Sequence, residues 1–126
     1  MKLVLPFEER QKSRLRARLE SGEEVAILRP RGSVLRGGDV VWSAGTKFEV
    51  VAAPEKLLHI ESDSLARIAY HLGNRHVLVQ VGEGFLRILR DHVLEDMVRH
   101  LGARVEHVEA PFEPETGAYH SHPHEH

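Results

Sequence analysis

The chain has 126 residues, with 17 basic side chains against 19 acidic ones and a formal net charge of −2. So balanced a charge creates no field of the kind that draws a protein to nucleic acid or to anionic lipid, and neither is expected as a partner. There is no cysteine, which excludes disulfides, thiolate nucleophiles and sulfur-ligated metal sites, so any metal must be held by nitrogen and oxygen.

The apolar start, Met1 to Pro6, is too short for a signal peptide, and no segment approaches the roughly 18 apolar residues of a membrane span, so a cytoplasmic protein is expected. From Ser13 to Leu19 the sequence alternates, with Arg14, Arg16 and Arg18 on one side and Leu15, Ala17 and Leu19 on the other, the period of a half-buried strand. The Glu20-Ser21-Gly22-Glu23 turn and the apolar run Val25 to Leu28 complete a hairpin. Val40 to Trp42 and Lys47 to Ala52 add further strands, giving about four or five before Pro54.

After Pro54 the pattern changes. Leu57 to Ile60 reads as a strand, followed by a helix capped by Ser62 or Asp63 with Leu65, Ile68, Ala69 and Leu72 on one face. Gly73-Asn74 is expected to end it in the left-handed conformation. Val77 to Val81 and Phe85 to Leu89 read as strands. Asp91 caps a second helix stopped by Gly102, and Arg104 to Val108 is a last strand. Beyond Ala110 the apolar content falls, and a mobile tail is expected.

The fold class is thus α+β. A small β-sandwich or barrel-like domain (1–54, partner-binding) precedes a ferredoxin-like β-α-β-β-α-β domain (55–110) and a flexible histidine-containing tail (111–126). Units of roughly 60 residues bury only about 60% of the surface of their unfolded chains, so association with a second copy is expected.

Ten histidines stand out, four of them in the last seven residues. His120, His122, His124 and His126 occur at every second position, and such a segment can wrap a single ion; imidazole suits nickel, copper and zinc. An affinity tag would be an uninterrupted histidine run, which Ser121, Pro123 and Glu125 break. His71 and His76 flank the Gly73-Asn74 helix end, where a histidine more often complements the helix dipole than binds metal. His92 sits in the first turn of the second helix, where a neutral imidazole is favoured, although a plain surface residue is commoner. His59, His100 and His107 have no companions at ligand spacing and read as structural or solvated.

The motifs around these histidines resemble those of the urease accessory protein UreE, a family of nickel metallochaperones. Arg10-Gln11-Lys12-Ser13-Arg14-Leu15-Arg16 and Pro30-Arg31-Gly32-Ser33-Val34-Leu35-Arg36 with Gly38-Asp39 are similar to the family's amino-terminal domain. Tyr70-His71-Leu72-Gly73-Asn74-Arg75-His76-Val77, Asp91-His92-Val93-Leu94-Glu95-Asp96-Met97 and Pro111-Phe112-Glu113-Pro114-Glu115 are similar to its metal-binding domain and tail. The resemblance implies a non-catalytic role, with Ni2+ (Zn2+ or Cu2+ at the same histidines) held by His76 at the interface of a homodimer. It further implies completion by tail histidines, His120 and His122 first with His124 and His126 beyond them, and peripheral sites at His71 and His92. The partners it implies are the urease accessory GTPase and the urease apoprotein complex, reached by ligand exchange. It also implies an abbreviated first strand, because the chain begins almost at Leu5-Pro6-Phe7-Glu8, and transfer rather than storage, because the tail carries only four histidines.

An enzyme is disfavoured by the absence of a His-Glu-x-x-His, a glycine-rich phosphate loop or a Gly-x-Ser-x-Gly elbow. An RNA-binding sheet would need stacking aromatics, and Phe85 alone supplies one in the central strands.

Overall fold

The computed structural model describes residues 1–19 and 21–116, in two compact units, Met1–Ala53 and Pro54–Thr116. Both mix strand and helix with strand predominating, an α+β chain.

The first unit runs β1 (Lys2–Leu5), α1 (Phe7–Arg10), β2 (Arg14–Arg18), β3 (Glu24–Leu28), β4 (Val40–Ser43) and β5 (Thr46–Ala52). β1 pairs parallel and β4 antiparallel with the central β5, while β2 and β3 form a separate antiparallel hairpin. The alternation in β2 is realised: Leu15 is buried and all three arginines are exposed. Leu3 and Leu5 of β1, Leu15, Ile27, Val41, Phe48 and Val50 bring both sheets to one core.

Neither α1 nor the assignment of Lys2–Leu5 as a strand follows from periodicity. Four residues are too few to show a period, and β1 is fixed by its ladder to β5. In α1, Arg10 is fully buried. Its guanidinium donates to the carbonyls of Leu5 at 3.1 Å and Leu35 at 3.2 Å and lies 5.4 Å from the Phe7 ring centre. A buried charge persists where hydrogen bonds replace water, so the Arg10 motif is structural: it ties the end of β1 to the loop carrying Leu35.

The second unit runs β6 (Pro54–Glu61), α2 (Leu65–Asn74), β7 (Gln80–Gly82), β8 (Phe85–Leu89), α3 (His92–His100) and β9 (Arg104–Pro111). Its sheet has the order β7-β8-β6-β9, and every neighbouring pair is antiparallel. Leu58 and Ile60 of β6 and Leu86 and Ile88 of β8 form a core with Ile68 and Leu72 of α2 and Val98 of α3. Each such side chain contributes about 1.5–3 kcal/mol on burial.

Four local expectations are corrected. The cap of α2 is Ser64, and Ser62 instead accepts the Ser64 amide at 2.9 Å. Gly73 and Asn74 remain helical, Arg75 closes the helix at φ −95°, and the left-handed residue is His76, at φ 60°. The strand expected at Val77 to Val81 is the shorter β7; Val77 and Val79 pack on the core without joining the ladder. Residues beyond Ala110 do not all leave the fold, since Pro111 ends β9, Phe112 is fully buried and Pro114 is buried. These few apolar residues are buried although the composition of the stretch did not promise it. The expected flexibility of the remaining tail falls on residues outside those described.

Candidate metal centre

His76 owes its position to the way α2 ends. The Leu72 carbonyl accepts both the Arg75 amide and the Val77 amide at 3.1 Å, and the His76 amide donates to Gly73 at 2.9 Å. The longer bond spans five residues, so the chain must reverse between its ends, and the left-handed residue sits where glycine usually stands. For a residue with a Cβ that conformation costs on the order of 1 kcal/mol. The turn thus leaves His76 exposed at a backbone conformation that carries some strain.

Around it lies a shallow depression lined by Val77, Leu78, Leu89, Arg90, Asp91 and Leu94. Of the two leucines among them, Leu78 is 38% and Leu89 44% exposed. Arg90 turns its guanidinium away, donating to the Val108 carbonyl at 3.1 Å. Asp91 caps α3: one carboxylate oxygen accepts the Val93 amide at 2.8 Å and the Leu94 amide at 3.1 Å.

His71 is partly buried in the last turn of α2, edge-on to Tyr70 at 5.3 Å. His92 opens α3 and is exposed. Neither lines the depression beside His76. His120, His122, His124 and His126 lie outside the described residues. Among the described residues no group of three or more histidine, aspartate or glutamate side chains could hold a metal ion. His76 therefore belongs to no such group among the described residues.

The remaining histidines have structural partners or none. His59 accepts from Arg87 at 3.0 Å, meets Glu61 at 3.2 Å and packs at 4.7 Å against Phe85. Because arginine can only donate, Nδ1 of His59 is the acceptor in that bond. His107 bonds to Glu95 at 2.8 Å, and His100 is exposed. Sequence reasoning passed over Leu89 and Asp91 as neighbours of His76, because a strand residue and a cap give no signal of sharing a depression with a helix end.

Comparison with known proteins places the chain. Residues 1–53 match the model of the UreE urease accessory protein N-terminal domain, and residues 55–126 match that of the C-terminal domain. The chain belongs to the UreE urease accessory protein family. It is 58% identical to the urease accessory protein UreE of Ralstonia nicotianae over 98% of this chain and 62% of that protein. It is 53% identical to the UreE of Cupriavidus necator over 98% and 68%, and 52% identical to that of Paraburkholderia xenovorans over 98% and 58%. The chain therefore spans about three fifths to two thirds of the length of these UreE relatives. No described helix is long and apolar enough to cross a membrane.

Proposed function

We propose that this UreE chain is a non-catalytic nickel carrier of urease maturation, which holds Ni2+ at His76 and releases it by ligand exchange. The observation that carries the reading is the exposed His76 imidazole, held at φ 60° beside exposed Leu78 and Leu89. A strained residue that faces solvent is consistent with a functional position, and an apolar rim suits burial against a second copy.

A two-fold axis through this surface places two His76 imidazoles, one from each chain, on a single ion. Two nitrogens leave nickel with open positions, which His120 and His122 complete, with His124 and His126 as further donors; Zn2+ and Cu2+ fit the same imidazoles. His71 and His92 form weaker peripheral sites. The second unit, with its β-α-β-β-α-β order, serves as a ferredoxin-like metal platform, and the first as the partner-binding β domain. Tail ligands exchange first, so the acceptor, the urease accessory GTPase or the urease apoprotein complex, takes the ion without a vacant intermediate. The setting is cytoplasmic.

Metal analysis of the nickel-loaded protein at a mass fixed by light scattering tests the interface site. One tightly held ion per pair of chains is expected. Tight binding by isolated single chains would contradict it.

A further inference from the structure

Two open strand edges of the first unit face one groove. Among the described residues β1 pairs only with β5, and β2 only with β3. Along β1 the Glu49 amide donates to the Met1 carbonyl at 2.8 Å, and the Ala53 amide to the Leu5 carbonyl at 2.9 Å. Alternate residues of a strand turn their backbone groups to opposite edges, so the N–H and C=O of Lys2 and Val4 point away from β5. Along β2 the Arg29 amide donates to the Ser13 carbonyl and the Leu19 amide to the Glu23 carbonyl, both at 2.8 Å. By the same alternation the backbone groups of Arg16 and Arg18 point away from β3. Lys2 to Leu5 and Ala17 to Leu19 line a groove of about 710 Å³.

The lining sorts by face. Leu3, Leu5 and Leu19 are buried and Ala17 packs on the same core, whereas Lys2, Val4 and Arg18 are exposed. The lining thus carries two cations and no acid. The ion pair of Arg18 with Glu24 is 4.0 Å long and solvent-exposed, which leaves the guanidinium available to a closer carboxylate.

We propose that this groove takes an extended segment of a partner protein in which apolar and acidic residues alternate, paired as an added strand between β1 and β2. The open backbone groups call for a strand, because N–H and C=O groups covered by a partner need hydrogen bonds. Alternation sends one set of its side chains onto Leu3, Leu5, Ala17 and Leu19. It turns the other set outward between Lys2 and Arg18, where opposite charges on neighbouring strands attract. At about 3.3 Å per residue, the four residues of β1 match a paired segment of about four to six residues. The proposal deepens the reading of the first unit as the partner-binding domain and rests on that reading, but not on nickel at His76.

The test is fluorescence anisotropy of a labelled octapeptide of alternating valine and glutamate, titrated with the full metal-free chain. The peptide is expected to bind, and less tightly as salt is raised. Its analogue N-methylated at alternate amides keeps every side chain but loses backbone donors, and is expected not to bind. Val4→Pro removes a groove-facing amide and spares the ladder to β5, as proline on a sheet edge does; it is expected to weaken binding at least about threefold. Lys2→Glu combined with Arg18→Glu is expected to reverse the preference, towards an octapeptide of valine and lysine. Equal binding of the N-methylated analogue to the wild-type chain would overturn strand pairing, whether or not Val4→Pro folds. Binding that Val4→Pro and the charge reversal both leave unchanged would overturn the groove and keep the first unit as a binding domain. Failure of wild type to bind either peptide would overturn the proposal together with that domain reading. If in that case Val4→Pro also halves the mass in solution, the groove belongs to a second copy of the chain.

Discussion

The Val77 amide meets the Leu72 carbonyl at 3.1 Å, and the turn this bond closes leaves His76 at φ 60°. Glycine adopts that conformation without steric cost, whereas a β-branched residue resists it. His76→Gly is therefore expected to leave the stability of the metal-free protein unchanged or raise it by about 1 kcal/mol, and His76→Val to lower it by more than about 1 kcal/mol. Denaturant unfolding of the apo-protein checks both. A marked loss of stability in His76→Gly would mean that the imidazole is retained for packing.

Asp91 borders the same depression and holds the start of α3 through its bonds to Val93 and Leu94. Asp91→Ala is expected to cost about 0.5–2 kcal/mol, and Asp91→Asn much less, since the amide oxygen still accepts. Equal losses from the two substitutions would show that charge at the helix N-terminus, not the cap, is what stabilises.

Glu95 joins α3 to β9. Its carboxyl is held below its ordinary value of 4.5, first by the hydrogen bond from His107 and then by that from Arg99. A carboxylate with a depressed folded value contributes stability that is present above about pH 4.5 and is lost as pH falls through the folded value. The difference in melting temperature between wild type and Glu95→Gln is thus expected to narrow as pH is lowered from 6 towards 3. A constant difference across that range would refute the linkage.

The Phe85 ring occupies the space that a Cβ on Gly82 would fill. Gly82→Ala is expected to cost about 1–3 kcal/mol through displacement of the ring, and combining it with Phe85→Ala is expected to remove most of the coupling. Additive losses in the double-mutant cycle would mean that the ring moves aside freely.

The alternation of Arg14 to Leu19 and the helical spacing of Leu65, Ile68 and Leu72 were legible because each element buries one face, and periodicity reports burial. β1 and α1 were not, being too short to show a period and being held by contacts to β5 and Leu35 that are distant in sequence. The histidine string beside Gly73-Asn74 pointed to His76, but glycine and asparagine propensity put the left-handed residue two or three positions early. Both instead stay within the helix, which Arg75 closes. The burial of Phe112 and Pro114 was hidden for a similar reason: two buried residues in a proline-containing, acidic stretch lack the composition of a packed segment. Nothing in the sequence places Leu89 next to His76.

The most direct test of the central claim is a calorimetric titration of nickel into wild type and into His76→Gly, a substitution that keeps the turn. The account predicts tight binding near neutral pH that weakens in acid, because protons compete with the metal for the imidazole nitrogens, and loss of that tight phase in His76→Gly. Unchanged affinity and stoichiometry in His76→Gly would contradict it and leave nickel to the tail alone.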